Sequence, residues 1–188
     1  MRKWHNHNSA ALKRKLLVFD FDDTIVTTNC KVIINYPDGT SEKMSTDKFK
    51  SHCKEEENGY DFSEFEEVIE PRPNKKLVSI IKHFVKIKSH RDQIVVLTAR
   101  QSAARPAIKD YLASIGLIVS TDLELVTLDD SRPQAKADWI ENRIIAGTTE
   151  ILFMDDSRAN VEAVRYLYER YPQVIIDARE VFHAEDTS

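Results

Sequence analysis

The stretch LLVFDFDDTIV, residues 16–26, decides how the fold is read. Leu16 to Phe19 form an unbroken apolar run that passes into Asp20, Phe21, Asp22, Asp23 and Thr24. Apolar residues without alternation are what a strand covered on both faces requires. Three carboxylates at the end of such a strand are costly to desolvate unless a cation or hydrogen-bond donors meet them there. The stretch therefore reads as a core strand whose last residues deliver charge to one edge of a sheet.

Working outward, four more strand-like runs follow: QIVVLTA (93–99), LELVTL (123–128), EILFMDD (150–156) and QVIID (173–177). Amphipathic helical patterns lie between them. Leu77, Ile80, Ile81, Phe84 and Val85 repeat at helical spacing, as do Ile108, Tyr111, Leu112 and Ile115, with Gly116 as a C-terminal stop. Val161, Val164, Tyr168 and Tyr171 form a later stripe that ends at Pro172. Alternating strand and helix predicts an α/β fold, a Rossmann-like three-layer sandwich with a mostly parallel sheet. Residues 27–70 break the rhythm. Val32, Ile34 and Tyr36 alternate, a Pro-Asp-Gly turn follows, and a second polar strand completes a hairpin. Ser45 or Thr46 then caps a short helix, and Pro71 and Pro73 mark the return to the core. The expectation is one domain over 1–188 carrying a small insertion at 27–70 after its first strand.

Composition narrows the function classes. The 188 residues are 41% hydrophobic and 31% charged with a net charge of −4, as for a globular chain with a sizeable core. No apolar run approaches the roughly 18 residues that a membrane span needs. The N-terminus MRKWHNHNSAALKRK is basic without an apolar stretch and does not read as a signal peptide. Cys30 and Cys53 are accordingly expected as reduced thiols in a cytoplasmic protein. The net charge argues against wholesale coating of nucleic acid, while the basic arm of Arg2, Lys3, Lys13, Arg14 and Lys15 is either a phosphate-backbone contact or a solvated terminus. No His or Cys set has zinc-like spacing.

Ligand sites in open parallel α/β sheets lie at the carboxyl ends of the strands. Those ends carry Asp20, Asp22, Asp23 and Thr24; Thr98, Ala99 and Arg100; Asp129, Asp130, Ser131 and Arg132; and Asp155, Asp156 and Ser157. Residues two apart in an extended strand share a face, which joins Asp20 with Asp22 and sets Asp23 apart. With Asp155 or Asp156 the set offers carboxylate oxygens suited to Mg²⁺, a cation that keeps several waters and takes one or two carboxylates plus substrate phosphate. Arg100 shares a face with Thr98, so it is either a phosphate contact or a structural ion pair.

Taken together, these residues resemble the haloacid dehalogenase-like (HAD) phosphohydrolases. DFDDT is similar to that family's first motif, Asp-x-Asp-x-Thr, and VVLTAR to its second. Lys136 in RPQAKADWI stands where the third places its lysine, and ILFMDDSRANV resembles the fourth. The resemblance implies that Asp20 is the nucleophile, Asp22 the general acid and base whose carbonyl binds Mg²⁺, and Thr98 a hydrogen-bond donor to the phosphoryl group. It implies Lys136 as the cation that pairs with that group and with Asp20, and Asp156 as the principal acidic Mg²⁺ ligand with Asp155 beside it. Where many members carry a further acid, this sequence has Asn160. The insertion falls where the family places its cap, and a short cap implies an open site. The implied activity is Mg²⁺-dependent phosphomonoester hydrolysis of a small molecule or a nucleic-acid end. LTAR, the small insertion and the spacing from Lys136 to the paired aspartates are loosely similar to the phosphatase domain of polynucleotide kinase-phosphatase, which suggests a polynucleotide 3′-phosphatase as a narrower expectation. A phosphate-binding or scaffold protein of the same fold is the alternative from a different class.

Overall fold

The computed structural model describes residues 13–50, 52 and 55–182. Arg2, Lys3 and Cys53, named above, lie outside the described residues. In chain order the elements are β1 (Lys15–Phe19), β2 (Val26–Thr27), β3 (Lys31–Asn35), β4 (Ser41–Ser45), α1 (Thr46–Lys50), β5 (Gly59–Asp61), β6 (Arg72–Pro73), α2 (Lys75–Ile87), β7 (Gln93–Thr98), α3 (Arg105–Ser114), β8 (Glu124–Thr127), α4 (Pro133–Ile145), β9 (Glu150–Asp155), α5 (Arg158–Arg165), α6 (Leu167–Arg170) and β10 (Ile175–Glu180). Short 3₁₀ turns occupy Ser63–Glu66 and Ser102–Ala104.

The central sheet has five strands in the order β10-β9-β1-β7-β8, and every pairing in it is parallel. β1 sits in the middle, which is why four of its five residues, Leu16 to Phe19, are buried and why its sequence does not alternate. Leu17 and Phe19 pack with Leu77, Ile81, Ile108 and Leu112 of α2 and α3. Leu16 and Val18 face the other way, onto Ala137, Ile140, Val161 and Val164 of α4 and α5. Two cores, one on each face, make the three-layer α/β sandwich expected from the alternation of strand and helix. Gly116 adopts a φ of +77° just past α3, and the Leu117 N–H returns to the Leu112 carbonyl, the geometry of a glycine-stopped helix.

One helical stripe differs from the expectation. Val161 and Val164 are buried, but the next buried residue is Leu167, while Tyr168 stands 58% exposed. The helix breaks at Tyr166 between α5 and α6, so the phase slips and the tyrosine turns outward. Tyr171 packs against the same core as Val161 and Val164 and donates its hydroxyl proton to Glu141.

The segment after β1 leaves the core through a two-stranded antiparallel stem, with Val26 opposite Pro73 and Thr27 opposite Arg72. Beyond the stem the chain forms a separate antiparallel sheet in the order β4-β3-β5. Its hairpin turns at Pro37-Asp38-Gly39, where Gly39 takes a φ of +86° and Asp38 accepts hydrogen bonds from the Thr40 N–H and hydroxyl. Among the described residues no helix is long and apolar enough to cross a membrane.

Candidate active site

Parallel pairing brings the carboxyl ends of β1, β7 and β9 to one edge. The Asp20 N–H continues the ladder by donating to the Met154 carbonyl, which sets Asp20 beside Asp155 at the end of β9. Immediately beyond, Asp23 takes a φ of 53°, a left-handed position that an aspartate tolerates better than most residues, and its N–H donates to the Val26 carbonyl. This tight turn sends the chain away from the edge and leaves Asp20 and Asp22 behind on it.

Lys136 comes from the opposite layer. Pro133 opens α4 with its φ preset, and Lys136 lies in the first turn, 3% exposed. Its Nζ donates to Asp20 Oδ1 at 2.5 Å and to Asp155 Oδ2 at 2.7 Å. Burial alone would lower the ammonium's pKa, but the Asp20 and Asp155 charges outweigh it and hold it above the ordinary lysine value. Asp20 behaves in the opposite sense. Burial raises its carboxyl well above the usual range, the neighbouring Asp155 and Asp22 charges add to that, and Lys136 opposes it without cancelling it.

The adjacent aspartates of β9 have different surroundings. Asp155 is fully buried and accepts from Lys136, from the Ser157 N–H and, on both oxygens, from the Asn160 side-chain amide. Ser157 also caps α5 by accepting from the Asn160 N–H. Asp156 is half-buried, and its N–H donates to Thr24 Oγ1 at 2.9 Å. Thr24 and Asn160 thus fix the two acids. The sequence reading places Thr24 only at the strand end and notes Asn160 only as standing where many members of the resembled family carry an acid, so neither contact was foreseen.

One oxygen from each of Asp20, Asp155 and Asp156 falls within 4.8 Å of the others. Three carboxylates are thus gathered beside the Lys136 ammonium, which pairs with two of them. An all-oxygen donor set of this kind fits a hard divalent cation such as Mg²⁺. The carboxylate of Asp22 does not join the trio among the described residues.

Asp22 instead meets Arg100. The guanidinium donates to both Asp22 oxygens, from Nε at 2.9 Å and from Nη2 at 2.7 Å. Its Nη1 donates to the Phe65 and Glu67 carbonyls of the insertion, and Nη2 also reaches Thr28 Oγ1 and Cys30 Sγ. The rings of Phe21 and Phe65 each lie 5.4 Å from the guanidinium carbon. At 5% exposure with all its donors engaged, Arg100 is occupied by the protein itself. The two roles left open by the sequence are thereby separated: the ion pair is present, and a phosphate contact would require Arg100 to release a partner. Thr98 is buried and accepts the Arg100 N–H through Oγ1 at 3.2 Å, which leaves its hydroxyl proton for another acceptor.

The Asp130 and Arg132 side chains, at the end of β8, pair with each other in an exposed local bridge. Arg132 holds the Asp130 carboxyl down at about 2. Neither group contacts the aspartate trio through any hydrogen bond or ion pair among the described residues. Cys30 is a buried free thiol.

Comparison with protein-family models, curated proteins and solved structures gave no match.

Proposed function

We propose that this chain is a Mg²⁺-dependent phosphomonoester hydrolase of the haloacid dehalogenase-like type, acting in the cytoplasm through an aspartyl-phosphate on Asp20. The observation that carries the reading is the buried Asp20–Lys136–Asp155 chain, set at the end of the central strand with Thr98 on the neighbouring strand and Asp156 alongside. A structural ion pair has no need of a third carboxylate at half-exposure beside it. A phosphoryl-transfer site does need a nucleophile, cationic charge for the equatorial oxygens and a metal position.

In this reading an Asp20 oxygen attacks the phosphorus in line and the bond to the leaving oxygen breaks. Asp22 gives that oxygen its proton. A water then attacks the phosphorus of the aspartyl-phosphate, Asp22 takes the water's proton, and Asp20 is released with inorganic phosphate. Lys136 and the Thr98 hydroxyl hold the equatorial oxygens. Asp20, Asp156 and Asp155 would hold Mg²⁺, with the Asp22 carbonyl as a further oxygen. When bound, the ion neutralises charge on the phosphoryl group and on the acids. Both oxygens of Asp22 accept from Arg100 here, so the proton-donating step asks Asp22 to turn at least one oxygen out of that pair.

The substrate is put no more narrowly than a phosphomonoester. A polynucleotide 3′-phosphatase would need cations along a strand path at this edge. Arg100 is engaged by the chain, and carboxylates outnumber lysines about two to one in the segment from Thr28 to Pro71. The test is hydrolysis of p-nitrophenyl phosphate by the purified protein in Mg²⁺ and in EDTA. Turnover is expected only with Mg²⁺ and is expected to vanish in Asp20→Asn; activity that persists in that variant refutes the assignment.

A further inference from the structure

We propose a second, separate anion site at the opposite edge of the central sheet, one that takes a ligand with contiguous phosphates such as a nucleoside triphosphate or its inorganic counterpart. A cavity of about 470 Å³ opens there, lined by Arg14, Lys15, His90, Arg91, Gln93, Arg143, Ala146 and Thr148. Lys15 and Gln93 are the first residues of β1 and β7, so the cavity lies a full strand length, roughly 17 Å, from the aspartates. Five of the eight lining residues are basic and none is acidic.

The cations differ in how far they are already used. Lys15 pairs with Glu150 and Arg143 with Glu124, but these are partly exposed bridges of small worth. Arg143 also stacks on Trp139, 4.5 Å from the ring centre, which holds its plane in place. The Arg14 side chain spends a single hydrogen bond on the Ala146 carbonyl at the end of α4. Arg91 spends one on His90. Neither Arg14 nor Arg91 has a carboxylate partner among the described residues. Two arginines with unspent donors on one cavity present the planar forks that bind phosphate oxygens in pairs.

Size and surroundings select the ligand. The volume is that of a small-molecule site. The lining offers no aromatic ring other than His90 on which a base could stack, and five of its side chains are basic, so it reads charge and not a base. The basic lining does not continue into a groove: the neighbouring concavity is lined by Asp92, Asp122 and Glu124 as well as Lys88 and Arg105. A long polyanion would have to cross those carboxylates, whereas two or three linked phosphates fit within the cavity.

The test is calorimetric titration of the intact protein with inorganic tripolyphosphate in EDTA, where the metal-free aspartate edge repels anions and no turnover occurs. Its outcome is therefore independent of the phosphatase assignment. Saturable binding is expected, weakened roughly tenfold by Arg91→Ala and by Arg14→Gln, the latter keeping a donor for Ala146. Arg179→Gln, on the far edge strand, is expected to bind as wild type. ATP is expected to bind at least as tightly as tripolyphosphate. Absence of saturable binding, or unchanged affinity in both cavity variants, overturns the site. Orthophosphate binding as tightly as tripolyphosphate overturns the requirement for linked phosphates. An oligonucleotide that displaces tripolyphosphate at equal phosphate concentration overturns the restriction to a small ligand.

Discussion

Lys136 is the residue on which the candidate site's integrity rests. A lysine buried this far is tolerated because two carboxylates meet its ammonium, and its charge in turn offsets much of the cost of burying them. Lys136→Met keeps the length and apolar stem of the side chain while leaving Asp20 and Asp155 facing each other in a buried place. The variant is expected to lose about 3–5 kcal/mol of stability in urea unfolding under EDTA. A loss under about 1 kcal/mol, the worth of a surface pair, contradicts this account. At this scale the sequence was informative about which residues gather and less so about what each does. Asp155 and Asp156 are adjacent and chemically identical in the chain. Only the fold decides that the first takes four hydrogen bonds in full burial and the second stays half-open. Asn160 is similar: as a letter it is a missing acid, and in the structure its amide donates to both oxygens of Asp155.

Among elements, the junction between the insertion and the sheet depends on one side chain from a strand end. Arg100 follows β7 and ties together Asp22, the Phe65 and Glu67 carbonyls, Thr28 and Cys30. Removing it leaves two carbonyls and a carboxylate without their donor. Arg100→Ala is expected to speed amide exchange across the segment 59–69, while the amides of β1 and β9 stay protected. It is also expected to lower kcat more for alkyl phosphates than for p-nitrophenyl phosphate, because only the poor leaving group depends on a well-placed Asp22 proton. Equal loss on both substrates contradicts a positioning role. The sequence could not show this partnership, since Arg100 and Asp22 are 78 residues apart and an arginine near a strand end has two ordinary uses. Strands were easier to read than helix phases. The five apolar runs all lie in strands of one sheet. Burial on both faces makes the pattern plainest in the central strands β1 and β7, while the edge strands β8 and β10 are only partly buried. The break at Tyr166 was hidden, because Leu167 and Tyr168 both extend the Val161–Val164 stripe and only packing selects between them.

For the whole molecule, the raised Asp20 pKa links folding to pH and to metal. The unfolded chain releases that proton near the ordinary aspartate value of about 3.9. From there up to the raised folded value, the native state holds more protons than the unfolded state, so stability falls as pH rises. Below the ordinary value both states are protonated and the slope disappears. In EDTA the melting temperature of wild type is therefore expected to decline between pH 4 and neutrality, to a degree that Asp20→Asn does not share. Mg²⁺ favours the carboxylate and is expected to stabilise wild type more at pH 7.5 than at pH 5. Equal stabilisation at both pH values would separate Asp20 from the metal site. The stem of the insertion has a different consequence. Thr27 and Arg72 face each other as a pair, roughly 5 Å apart, so the chain exits and re-enters the sheet domain through one doorway. Everything beyond that doorway is, topologically, an ornament on a loop: a roof of another shape could be grafted onto the same two residues without rethreading a single strand of the floor beneath.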